Sequence, residues 1–159
     1  MLFRTRGYWQ PTPSPPDQQP RLWPWSEIRP LLLEAARVIN LGEETYRRFV
    51  RLETRSQFFS VGYQIVLPGE HAAAHRHNAS AVRFVAEGSG AYTTSNGEPM
   101  PMSPGDLLTQ PNWVWHDHTN DTKETAIWLD CLDIGLIRTL NARFGEVWPD
   151  GNEIGRAHV

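Results

Sequence analysis

AAAHRHNASAVRF, residues 72–84, and PNWVWHDHTN, residues 111–120, decide how this chain reads. Each holds two histidines one residue apart, His75 with His77 and His116 with His118. The whole chain has 6 histidines, so these pairs take most of them. In an extended strand, side chains at i and i+2 leave the same face. His75 and His77 should therefore project together, with Arg76 opposite. His116 and His118 should do the same, with Asp117 opposite. If the two strands face each other across a barrel interior, three or four imidazoles converge. Imidazole suits iron, zinc, nickel or copper, so residue type alone does not choose the ion. A lone His-x-His pair is often only a polar strand face, and it is the second pair that favours a metal. His71, beside a turn, and His158, near the end of the sequence, are read as bystanders.

Outward from the histidines the pattern is β. FFSVGYQIVLPGE (58–70) is rich in β-branched and aromatic residues and ends at a Pro-Gly turn. AVRFVAEG, GAYTT, DLLTQ, VWHDHTN and TAIWLDCL follow, separated by EGSG, SNGEP, SPGD and NDTKE. Asn96-Gly97 is a two-residue hairpin signal. Short strands at such spacing make a sandwich or a barrel. Upstream, WSEIRPLLLEAARVI (25–39) predicts a helix. Ser26 is its candidate cap, Pro30 falls near the first turn, and Leu31, Leu32, Ala35, Val38 and Ile39 form its apolar stripe. Residues 43–50 suit either a short helix or the start of a strand. PTPSPPDQQP (11–20) has five prolines, which excludes a helix or a central strand. It reads as an extended arm anchored by Tyr8 and Trp9, or as a disordered tail. DIGLIRTLNARFGEVWP should include a short helix. The expected organisation is an arm over 1–22, one domain over 23–150 and a loose tail over 151–159.

Composition narrows the function. The chain has 159 residues, 40% hydrophobic and 21% charged, enough for one domain with a real core. Its formal net charge is −3 with no basic block, which gives no nucleic-acid surface. No apolar run is long enough to span a bilayer, and MLFRTRGYWQ does not lead into a signal peptide. The single cysteine, Cys131, cannot close an internal disulfide and fits a reducing cytoplasm. Asn-x-Ser/Thr sequences at Asn78 and Asn120 are read as chance.

The spacing of these residues resembles the two motifs of the cupin family. GEHAAAHRHNASAVRFVAEG runs from Gly69 to Gly88, and GDLLTQPNWVWHDHTN from Gly105 through Pro111 and His116 to Asn120. The resemblance implies an all-β double-stranded β-helix, a jelly-roll barrel, here with a short amino-terminal helical region and an extended arm. The glutamate usual in the first motif would fall at Ala81 or Val82, and neither can ligate. The implied metal ligands are His75, His77 and His116. Such a set leaves coordination positions open, as non-haem Fe(II) oxygenases require, whereas a structural site fills its sphere.

A closer resemblance, over residues 23–150, is to the amino-terminal cupin domain of the gentisate 1,2-dioxygenase family, with the salicylate and 1-hydroxy-2-naphthoate dioxygenases. WPWSEIRPLLLEA and ETAIWLDCLDIGL extend it beyond the motifs. It implies Fe(II) as cofactor, with an aromatic carboxylate and O₂ as partners. The ring would open between the carbon bearing the carboxylate and the adjacent carbon bearing a hydroxyl. Arg83 would bind the carboxylate, and its strand parity matches that of His75 and His77 if the strand is uninterrupted. His118 would hydrogen-bond the substrate hydroxyl or bound oxygen, or accept a proton, without being a fourth ligand. Asp130 would orient His118 or Arg83. Gly62 would keep one pocket wall low, and Ser60 stands where a bulky aromatic is expected. Trp113, Trp115 and Trp128 read as packing. The resembling enzymes carry two cupin domains, so this chain is either a piece of such a protein or a single-domain relative working as a homodimer or higher homo-oligomer. A metal-binding cupin acting as a small-molecule binding or regulatory module is the alternative class, and a zinc isomerase or hydrolase the other chemistry.

Overall fold

The apolar run that starts at Trp25 winds into α1 (Trp25–Val38) in the computed structural model, which describes residues 20–41 and 47–149. Pro24 precedes it in extended conformation and no side chain caps it. Ser26 lies within the helix, so it is not the expected cap. The buried face is Ile28, Leu32 and Ala36, a narrow i, i+4 row. Leu31 and Val38 are exposed and Ile39 lies past the helix end, so most of the expected stripe faces elsewhere. The helix rests on a sheet along one row of side chains, and residues one position off that row tilt away from it. Pro30 sits well inside the helix, exposed, where its missing N–H removes one helical bond at the solvent side.

From Phe49 onward the chain is β until its last turns. The strands are β1 (Phe49–Leu52), β2 (Ser60–Val66), β3 (His71–His77), β4 (Ala81–Glu87), β5 (Tyr92–Ser95), β6 (Glu98–Pro101), β7 (Leu107–Gln110), β8 (His116–Thr119) and β9 (Ala126–Leu132). The short helix α2 (Ile134–Thr139) and β10 (Gly145–Val147) follow. They make two five-stranded sheets, ordered β1-β2-β9-β4-β7 and β10-β3-β8-β5-β6, with every pairing antiparallel. This is the expected all-β jelly roll. Of the stretch left open between helix and strand, residues 49–50 are strand, the start of β1; residues 42–46, the arm through residue 19 and the tail from residue 150 lie outside the described residues.

Alternation sorts the side chains into two cores. Val61, Tyr63 and Ile65 of β2 turn outward and pack with Leu52, Ile127 and the buried row of α1. Val66, Val85, Ala126 and Trp128 turn inward and meet Ala91 and Met102 inside the barrel. Asn96 and Gly97 have φ of +48° and +88°, the left-handed pair a two-residue hairpin needs, and they join β5 to β6 with Ser95 opposite Glu98. Gly88 has φ +83°, and a Cβ there would come within 2.5 Å of the Thr125 carbonyl oxygen, so the strand end after β4 accepts only glycine. Among the described residues no helix is long and apolar enough to cross a membrane.

Candidate metal centre

A β-bulge aims the first histidine pair. On β3, Ala72 pairs with His118 and His75 with His116, so three steps on β3 match two on β8. The extra residue reverses the alternation. Ala72 and Ala74 are buried inside the barrel, and beyond the bulge it is the odd-numbered His75 and His77 that line the cavity. The two pairs do not face each other across the barrel, as the sequence suggested. They converge as neighbours in one sheet.

Ring centroids are 4.3 Å apart for His75 and His116, 5.0 Å for His77 and His116, and 5.3 Å for His75 and His77. One nitrogen from each lies within 4.8 Å of the other two. Nδ1 of His77 is 2.7 Å from the Ala79 carbonyl oxygen and Nδ1 of His116 is 2.9 Å from that of Val114. Donating Nδ1–H there leaves each Nε2 lone pair for an ion. Nδ1 of His75 is 3.4 Å from the Ala73 carbonyl oxygen and 2.6 Å from a guanidinium nitrogen of Arg47. Arg47 can only donate. Ligation through Nε2 of His75 would place the ring hydrogen on Nδ1, towards Ala73, and Arg47 would turn aside. Burial holds all three rings below the ordinary histidine pKa, His116 down to about 3, and the Arg47 charge adds to this at His75. His77 and His116 therefore have neutral Nε2 lone pairs ready without proton release, and His75 needs only its ring hydrogen moved to Nδ1. Ala81 lines the same cavity, while Val82 is exposed on the outside, so no carboxylate completes the set from this strand. Three neutral imidazoles around an open space fit a divalent first-row metal.

The facing sheet supplies a second polar group. Arg83 on β4 and Asp130 on β9 are direct cross-strand partners and both are buried. Arg83 Nε donates to Asp130 Oδ1 at 2.9 Å. Gln64 Nε2 and, at 3.1 Å, Trp128 Nε1 donate to Asp130 Oδ2. The carboxylate thus has a cation and two neutral donors, which is what burial demands. Arg83 reaches the cavity, though not by continuing the parity of β3. The chain turns at Asn78–Ser80 and changes sheets, so Arg83 approaches from the opposite wall.

His118 lies deeper, 1% exposed, its ring centroid 5.9 Å from that of His116 and 4.9 Å from that of Trp128. It stands outside the converging group of three. Nδ1 is 2.9 Å from Thr93 Oγ1, and Nε2 has no protein partner although the residue lines the cavity. Burial, then the Arg83 charge, keep this ring neutral. Gly62 is buried but does not line the cavity. A Cβ there would come within 2.5 Å of the Phe49 ring, and it is Phe49 that forms the wall. Gly62 therefore makes room for Phe49 and acts one layer behind the position expected of it. The cavity, about 720 Å³, is also lined by Ser60, Arg51, Arg138 and Arg143. Outside the barrel Arg76 lies over Trp113 and Trp115, with 4.3 Å and 4.6 Å from the guanidinium carbon to the ring centroids. Arg47, Gln64 and Thr93 were not singled out from sequence. Gln64 left a signal, a lone amide in YQIV; a threonine in a strand leaves none.

Residues 62–132 match the cupin domain family model. The chain is 40% identical over 135 residues to gentisate 1,2-dioxygenase of Ralstonia sp., covering 79% of this chain and 38% of that protein. It is 40% identical over 145 residues to 1-hydroxy-2-naphthoate 1,2-dioxygenase of Nocardioides sp. (strain KP7), covering 84% and 37%. Among solved structures it is similar to the salicylate 1,2-dioxygenase from Pseudoaminobacter salicylatoxidans, an adduct with gentisate, with a TM-score of 0.81 and 32% identity over 90% of this chain and 40% of that one. The chain spans about two fifths of the curated relatives it matches.

Proposed function

The chain is a cupin, and from that premise we propose that it is a ring-cleaving dioxygenase for gentisate or a related hydroxylated aromatic carboxylic acid, with Fe(II) held by His75, His77 and His116. One observation carries this reading. A neutral three-histidine group shares a cavity with a buried arginine and a buried histidine nitrogen that has no protein partner. When bound, Fe(II) would supply open coordination positions for oxygen ligands and an electronic route between the ring and dioxygen.

The chain's own residues do the rest. Arg83, braced by Asp130 and Thr93, offers a fixed cation to the substrate carboxylate. His118 offers a nitrogen to a substrate or dioxygen oxygen. Phe49, Leu132 and Ile134 give the cavity apolar walls for the ring. The bond broken joins the carboxyl-bearing and hydroxyl-bearing carbons, and both atoms of O₂ enter the product. The reading also makes the protein a cytoplasmic homodimer or higher homo-oligomer. Val82, Phe84 and Leu107 support the assembly, being 43%, 45% and 67% exposed on the adjacent strands β4 and β7.

Oxygen uptake by anaerobically Fe(II)-loaded protein with gentisate, salicylate and 1-hydroxy-2-naphthoate tests the activity. Substrate-dependent uptake is expected, lost together with the metal in His75→Ala. Stoichiometric metal with no uptake on any of these acids would count against a dioxygenase and favour a binding module.

A further inference from the structure

Thr93 lies on β5, 0% exposed, between the two side chains that the dioxygenase reading needs most. Its Oγ1 is 2.9 Å from Arg83 Nη1, 2.9 Å from His118 Nδ1 and 3.6 Å from Met102 Sδ. A hydroxyl has one hydrogen and two acceptor sites, and a guanidinium can only donate, so Arg83 occupies one acceptor site. The remaining choice sets the state of His118. If the hydroxyl hydrogen points to Met102, Nδ1 must carry the ring hydrogen and donate to the second acceptor site. If it points to His118, Nδ1 accepts and the ring hydrogen sits on Nε2.

The second arrangement is favoured. A thioether is a weak acceptor, and 3.6 Å is long, whereas O–H···N at 2.9 Å is an ordinary hydrogen bond. The second arrangement also forms one directed chain, from guanidinium to hydroxyl to imidazole, in which each bond polarises the next. We propose that Thr93 is a positioning residue that fixes His118 in the Nε2–H tautomer, with that hydrogen presented to the cavity. His118 then donates to an oxygen of the bound acid or of dioxygen and does not act as a base towards it. The same hydroxyl ties the carboxylate clamp to the donor, so Arg83 and His118 hold a fixed separation. The consequence for turnover rests on the dioxygenase reading; the tautomer does not.

The test is ¹⁵N NMR of histidine-labelled, metal-free protein, with the His118 ring signals assigned by their loss in His118→Gln. In the wild type, Nδ1 should appear unprotonated and Nε2 protonated. Thr93→Ser, which keeps the hydroxyl, should preserve that pattern. Thr93→Val should shift the Nδ1 signal and populate the other tautomer, and its kcat should fall by roughly tenfold or more, as loss of an orienting partner does. If the valine variant does not fold, Thr93→Ala makes the same comparison. A wild-type hydrogen on Nδ1 would overturn the proposal, as would an unchanged tautomer in a folded variant lacking the hydroxyl. The expected tautomer in a protein without oxygen uptake would support Thr93's role and sink only the dioxygenase reading.

Discussion

One nitrogen from each of His75, His77 and His116 lies within 4.8 Å of the other two, so removing one would leave two of the three proposed ligands. On the proposed Fe(II) reading, His116→Ala should weaken Fe(II) binding by more than about 100-fold, since loss of a mere supporting partner already costs 10–100-fold. Equilibrium dialysis under anaerobic conditions reads this, and near-native affinity in the variant would remove His116 from the site. Asp130 works differently. Its carboxylate neutralises buried Arg83, and Asp130→Asn leaves that cation without its counter-charge. The cost should be about 3–5 kcal/mol in urea unfolding. A loss below about 1 kcal/mol would mean that water reaches the pair. The residue scale is also where sequence was most legible. The histidines stood out because imidazoles are rare and paired here, whereas Arg83 was marked by the family resemblance. Thr93 was invisible as a functional residue and Gln64 showed only as a lone amide in an apolar run, since their importance comes from partners on other strands. Gly62 was placed a layer too close, because what fills the space over a glycine depends on its neighbour, here Phe49.

At the scale of elements, strand existence was readable and strand geometry was not. The hairpin at Asn96-Gly97 announced itself through residue types that tolerate positive φ. The bulge in β3 did not, because HAAAH carries no turn residue to mark the extra position. Parity counted through a bulge, or across a change of sheet, carries no weight, so it lends Arg83 no support although the side chain does reach the cavity. β10 escaped because all three of its residues are exposed, leaving no alternation to detect. In α1 the helix was plain and its buried row was misphased. Leu31 and Leu32 separate the two readings. Leu32, 0% exposed, should cost about 2–5 kcal/mol when changed to alanine, through lost burial and the cavity left behind. Leu31, 55% exposed, should cost less than about 0.5 kcal/mol. Comparable losses in thermal or urea unfolding would mean that the helix seats on a different face.

The whole molecule carries an acid sensitivity that a barrel with an apolar interior would lack. His75, His116 and His118 are each kept neutral by burial, with neighbouring cations adding to the effect. In the unfolded chain the same rings take up protons near the ordinary value of 6.5. Below that pH the unfolded state binds more protons than the native state, so stability must fall as pH falls. The slope is at most about 1.4 kcal/mol per pH unit for each such histidine, and it begins near pH 6.5, before ordinary carboxylates titrate. Urea unfolding of the metal-free protein between pH 7.5 and about 5 should therefore show a steep decline, and His118→Gln should flatten it by roughly one histidine's share. Bound metal competes with the same protons for the native state. At 100 times its Kd it should add about 2.7 kcal/mol at neutral pH, with the benefit shrinking in acid. A metal-free stability that stays level from pH 7 to about 5 would show that these rings protonate in place. The cavity would then be wetter than its burial indicates, and below about pH 6.5 His75 and His116 would meet an incoming ion already charged.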